Sequence, residues 1–175
     1  MSDEDFEVML TGGHPNSLGK TEEVVEIVLA NPDRFEELYN CYQSEDEVVR
    51  LRTSSAVKRV ELKNRDLVLP YVDRLISEIG ELDQASAQWT LARLFERMFD
   101  DMDDVQQAGA LAIMKRNLEQ HTDWIVLNLT METLFNISQS DKNLLAWLRP
   151  QLERHAKDKR KSVSKRAGKY LELIN

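Results

Sequence analysis

Apolar residues recur at helical spacing along almost the whole chain, and short polar stretches interrupt them. Residues 19–30, with Val24, Val25, Ile27, Val28 and Leu29, read as an amphipathic helix that Asn31-Pro32 ends. A second short helix is expected from Asp33 to about Gln43, with Phe35, Leu38, Tyr39 and Tyr42 on one side. Ser44 or Asp46 is placed to cap a longer helix reaching about Lys63. Leu67 to Ile79 follows, with Gly80 as a stop and Asp83 as the expected cap of the next helix. Asp104 to Glu119 reads as another, then one capped by Thr122 or Asp123, one from Asp141 through Arg154, and a last from about Lys159 to Leu173.

Four of these helical stretches can be laid over one another at spacings of 38, 39 and 37 residues: Val49 to Val60, Ala87 to Met98, Val126 to Ile137 and Val163 to Ile174. A period near 40 with a helix on either side predicts stacked helical repeats, because a single hairpin cannot bury its apolar face alone. Counted from the first residue of each copy, positions 1, 5, 8 and 12 form one stripe, for example Ala87, Leu91, Leu94 and Met98. Positions 6 and 9 widen it into a band that must pack against neighbouring helices. Positions 3, 7 and 10 form a different stripe, expected to face away from the core: Leu51, Ser55, Lys58; Trp89, Arg93, Glu96; Asn128, Glu132, Phe135; Lys165, Lys169, Glu172. The expected fold is an all-α, right-handed α–α superhelix of about four helical hairpins over residues 17–175, a single domain. Residues 1–16 are expected to be an acidic and polar segment, mobile at least over the first five.

Several motifs carry a resemblance. Val49-Arg50 leading to Ala56-Val57, and Val163 leading to Arg166-Ala167-Gly168, resemble the inner-helix pattern of the HEAT/armadillo superfamily. Leu67-Val68-Leu69-Pro70-Tyr71-Val72 and Trp147-Leu148-Arg149-Pro150-Gln151-Leu152 are similar to its outer-helix pattern. The likeness covers about residues 33–175 and departs from the family in the middle copies, where Ala87-Gln88 and Val126-Leu127 replace the Val-Arg pair. It implies a scaffold that binds proteins. Enzymatic relatives exist among DNA alkylation-repair glycosylases and bilin-lyase-like HEAT proteins, and either remains an alternative.

Charge narrows these alternatives. The net charge is −8, but residues 154–169 hold Arg154, Lys157, Lys159, Arg160, Lys161, Lys165, Arg166 and Lys169 against Asp158 alone, a local +7. The rest of the chain is therefore −15, the wrong sign for a duplex-binding groove, so a nucleic-acid partner is disfavoured. Lys157, Lys159, Arg160, Lys161, Lys165 and Lys169 form a candidate patch for an anionic partner, with a solvated capping helix as the favoured reading. No apolar run approaches the length that spans a bilayer, and the acidic start is unlike a signal peptide, so a cytoplasmic protein without a membrane partner is expected.

Motifs with chemical promise dissolve on inspection. Gly19-Lys20-Thr21 ends like a phosphate-binding loop, but His14 stands where the first glycine belongs, and Pro15 has no amide hydrogen to offer. His14, His121 and His155 lie far apart and lack ligand spacing. Asp100 to Asp104 lacks the glycine and glutamate of a calcium loop and reads as an acidic helix start. Cys41, the single cysteine, sits among tyrosines and reads as buried. No cofactor or metal is expected, and no catalysis. The expected function is to present the outward stripe to a protein or peptide, with Trp89, Arg93, Leu51, Phe135 and Glu132 as its partner-binding residues. Trp124, just ahead of the third copy, either covers that copy's end or joins this face.

Overall fold

The structure is a computed structural model describing residues 4–174, and every regular element among them is helical. The α-helices in chain order are α1 Phe6–Leu10, α2 Thr21–Ala30, α3 Phe35–Asn40, α4 Glu47–Lys63, α5 Val72–Ser77, α6 Ala85–Met98, α7 Asp104–Gln120, α8 Trp124–Ser138, α9 Lys142–His155 and α10 Lys161–Ile174. Residues 1–3, where the mobility expected of the first five residues begins, lie outside the described residues. No helix among those described is long and apolar enough to cross a membrane.

Aspartates decide where five of these helices start. Asp5, Asp46, Asp103, Asp123 and Asp141 each accept from amides of the following first turn, donors the helix itself leaves unpaired. Asp46 and Asp123, rather than Ser44 and Thr122, fill the two positions that sequence left open. α6 begins at Ala85, so Gln84 rather than Asp83 stands at its threshold, its carbonyl accepting from Ala87 and Gln88. Two expected helices are broken. The stretch from Asp33 to Gln43 contains α3 between 3-10 turns, and that from Leu67 to Ile79 resolves into 3-10 turns followed by α5. Pro32 and Pro70 lie in these breaks, since a proline fits a first turn but supplies no amide to continue one.

Backbone contacts divide the chain after Thr90, within α6, into two compact units. In the first, α2 packs along α4, with α1 and α3 against them, and Phe6, Leu10, Val24, Leu38, Val57 and Val60 are fully buried. In the second, α8 packs against α7, α9 and α10 over a core that includes Phe95, Met131, Leu134, Leu148 and Leu152. Each fully buried leucine or phenylalanine contributes roughly 1.5–3 kcal/mol over its exposed state.

Repeat stacking is written into the hydrogen bonds. In the first unit Arg74 donates to Glu36 across 38 residues, and Tyr39 to Glu78 across 39. In the second Thr133 donates to the Ala92 carbonyl across 41, Asn136 to Glu96 across 40, and His155 bonds Leu118 across 37. Each such bond joins a helix to its counterpart one repeat away, so the fold is an all-α helical repeat. Burial agrees with the phase: all residues at positions 1, 5, 8 and 12 are buried except Ile137 and Ile174, which are partly so.

One segment departs from the repeat. α2 lies one repeat before the second half of α4, Lys63 pairing with Glu26 across 37 residues. Opposite the first half of α4, residues 11–20 run as a loop where a longer helix would have continued. Arg52, only 2% exposed, holds this loop: its guanidinium donates to the carbonyls of Leu10 (2.7 Å), Gly12 (2.6 Å), His14 (3.2 Å) and Ser17 (3.2 Å). Gly19 adopts a φ of +51°, and a side chain there would begin 3.0 Å from the Arg52 guanidinium carbon.

Candidate functional site

The outward stripe of each unit borders a cleft. In the first unit, Leu51, Ser55 and Lys58 of α4 and Trp89 of α6 face Pro15 to Leu18 of the Arg52-held loop across a cleft of about 340 Å³. Leu51 and Trp89, both picked from sequence, thus share one cleft and are half-buried. Its far wall is the chain's own loop. The same loop disposes of the phosphate-cradle resemblance. A phosphate loop turns amide hydrogens inward, whereas this one turns carbonyls inward around a cation. The residues before it, Phe6 to Leu10, are helical rather than a supporting strand.

The second unit has a more open cleft, about 480 Å³, between the start of α8 and the face of α10. Asp123 sets its geometry by capping α8, which puts Trp124, Asn128 and Glu132 at i, i+4 and i+8 on one side of the helix. Across from them stand Lys165, Arg166, Lys169 and Tyr170. Trp124 is 51% exposed, while Trp147 is covered by Lys115, whose ammonium lies 5.0 Å from the ring centroid. Lys165 and Lys169 are exposed at i, i+4 on α10.

Asn128 is the anomaly of this cleft. Every other described residue at positions 3, 7 and 10 is at least partly exposed, but Asn128 is 6% exposed and its Oδ1 has no hydrogen-bond partner. A buried amide oxygen left unpaired costs on the order of 1–3 kcal/mol. Most native buried polar atoms avoid that cost.

Three other sequence picks lie nearby in the second unit, tied to structure. Arg93 donates to Glu132 at 3.1 Å, and Arg166 donates to the same Glu132 oxygen, so one carboxylate joins α6, α8 and α10. Burial pushes the Glu132 carboxyl up, but its bonds to Arg93 and Arg166 outweigh this and hold it below its ordinary value. Phe135 stacks on Tyr170 with ring centroids 4.4 Å apart. Arg93, Glu132 and Phe135 are therefore cross-braces between repeats, with part of each surface still accessible. In the basic patch, Arg160 is occupied by Asp158 and the Thr122 carbonyl. Lys157, Lys159 and Lys161 are exposed, and only Lys165 and Lys169 reach the cleft.

Other chemical candidates have structural employment. His155 is buried at the end of α9, its Nε2 donating to the Leu118 carbonyl at 2.8 Å. His14 and His121 each accept from an amide two residues on. Cys41 is buried, and burial pushes its thiol up to about 12. Asp103 caps α7, and among the described residues no three acids, histidines or cysteines converge as a metal site.

Asn128 stands at an outward-stripe position, where an asparagine looks like an ordinary solvated residue, so its burial is not legible from sequence. Trp124 was noticed but left undecided, since its exposure depends on α10. No protein-family model and no curated protein matches the chain. Among solved structures it is similar to a designed armadillo repeat protein, at 14% identity, over 97% of this chain and 98% of that one, with a TM-score of 0.43.

Proposed function

We propose that the protein is a non-catalytic interaction module that presents the outward stripe of its repeat helices to a protein or peptide. The observation that carries this reading is the α8–α10 cleft, where a half-exposed indole, two exposed lysines and the unpaired amide of Asn128 meet. Tryptophan and charged groups around a desolvated polar centre are what binding anchors are made of. The titratable groups bordering the cleft serve as braces or as exposed charge, not as an acid–base pair aimed at a common point.

The test is affinity capture with the intact chain, comparing wild type, Trp124→Ala and Trp89→Ala with Arg93→Ala. Circular dichroism melts check that each variant folds. Partners retained by wild type are expected to be lost with Trp124→Ala and reduced with the double variant. Identical partner sets for all three would overturn the proposed face. A labelled DNA duplex in physiological salt serves as the competing arm, and its saturable micromolar binding would favour a nucleic-acid protein instead.

A further inference from the structure

The geometry points to a specific chemistry for the α8–α10 cleft: an extended acidic peptide segment with carboxylates two residues apart. This rests on the interaction-module reading above.

Asn128 supplies the first half of the argument. Its amide borders the cleft and its Oδ1, enclosed from water, lacks a partner, so a segment that draws the side chain toward it must bring a hydrogen-bond donor. A side-chain amide carries a donor and an acceptor side by side, and so does a peptide group. The match holds whichever way the Asn128 amide is turned, which a carboxylate or phosphate, being acceptors only, would not satisfy. An extended backbone passing Asn128 meets this requirement without any particular side chain. Trp124, one turn earlier on α8, offers a flat apolar platform to the residue beside it.

Lys165 and Lys169 supply the second half. They are four residues apart on α10, about 6 Å along its axis. An extended chain returns side chains to the same side every second residue, about 6.6 Å. Two lysines at this spacing therefore meet acids at alternate positions of a strand-like segment. Neither lysine is in an ion pair among the described residues; Lys169 lies 5.7 Å from the Tyr170 ring centroid and Lys165 is exposed. Arg166, between them in sequence, is already engaged by Glu132. Glu132 lies one turn beyond Asn128, its charge already met by Arg93 and Arg166, so that end of the cleft adds no repulsion toward an acidic segment.

The experiment is fluorescence anisotropy with end-blocked, labelled octapeptides titrated against the intact protein in physiological salt. The probe has glutamates at its fourth and sixth positions and serine, glycine and leucine elsewhere. Saturable binding is expected, weakened about tenfold when both glutamates become glutamines and about tenfold by Lys165→Ala with Lys169→Ala. Moving the glutamates to adjacent positions should weaken it several-fold. Asn128→Leu should also lose about tenfold in binding while melting no lower than wild type, because a merely structural asparagine would lose stability on replacement. Absence of saturable binding, or equal binding by the glutamine peptide or the double-lysine variant, would overturn the proposal. So would tighter binding of a DNA duplex, or concentration-dependent dimers abolished by the lysine variant, which would assign the cleft to another occupant. If the peptides fail while affinity capture still loses partners with Trp124→Ala, the module reading stands and only the acidic peptide is wrong.

Discussion

Arg52 and Asn128 are both polar, both on repeat helices, and both almost inaccessible to water, yet their surroundings treat them oppositely. Arg52 carries a full charge into the first unit, and the chain answers it with the carbonyl that ends α1 and three more from the loop that follows. Asn128 carries only a dipole into the second unit, and its Oδ1 is left unanswered. Size of the polar burden does not explain this, since the larger burden is the one fully met. The difference is that Arg52 folds its partner into place, the loop taking the ground of half a repeat helix, whereas the α10 lysines that share the cleft with Asn128 make no bond to its Oδ1. A saturated buried group builds structure. An unsaturated one beside an open cleft keeps a bond in reserve for something else.

The largest effect should come from breaking the satisfied side. Arg52→Met removes every bond to the loop while keeping most of the buried volume, and should destabilise the protein by about 3 kcal/mol, read as a lowered urea midpoint. Amides of residues 11–20 should lose hydrogen-exchange protection more than those of α8. Next, Gly19→Ala places a methyl against the Arg52 guanidinium in a left-handed backbone, at a cost of about 1–2 kcal/mol by the same measurement.

Third is the brace beside the cleft. Glu132→Gln should cost about 1 kcal/mol, since the carboxylate is partly exposed and shared by two arginines. The pH dependence follows from the lowered Glu132 value. A carboxylate that ionises more readily when folded adds stability in full above its unfolded value, near 4.5, and loses it as pH falls through the lower folded value. The gap between wild type and Glu132→Gln should therefore be constant at neutral pH and close below about pH 4.5. Smallest of all, Asn128→Leu should leave stability unchanged or raise it by about 0.5 kcal/mol, because no bond is lost and an unmet one is removed. A loss comparable to that of Arg52→Met would erase the contrast between the two residues.

Periodicity made much of this legible. The spacing of the four copies identified the helical repeat, and the phase within each copy separated Val49, Leu91, Val126 and Val163, all buried, from the outward stripe. The aspartate caps were visible as residue types, although choosing Asp46 over Ser44 and Asp123 over Thr122 took the structure. The site was only half legible. Leu51 and Trp89 do border a cleft, while Arg93, Glu132 and Phe135, expected on the binding face from their stripe positions, also brace neighbouring repeats. Of the residues lining the other cleft, Trp124 was open between covering the third copy's end and joining the face, and Asn128 on the stripe bore no sign of its burial.

What the sequence determined by itself is whatever depends on neighbours three or four residues away: helix, cap, apolar face and repeat length. These are local because helical geometry places such residues together whatever lies beyond. Whether a polar side chain is answered depends on atoms some forty residues distant, brought alongside only when repeats stack. Arg52 became a clamp because a loop arrived within hydrogen-bond reach, and the Asn128 amide oxygen stayed unpaired because no donor did. Only the tertiary structure decided that, since a hydrogen bond needs its partner within about 3 Å and no spacing along a chain guarantees it.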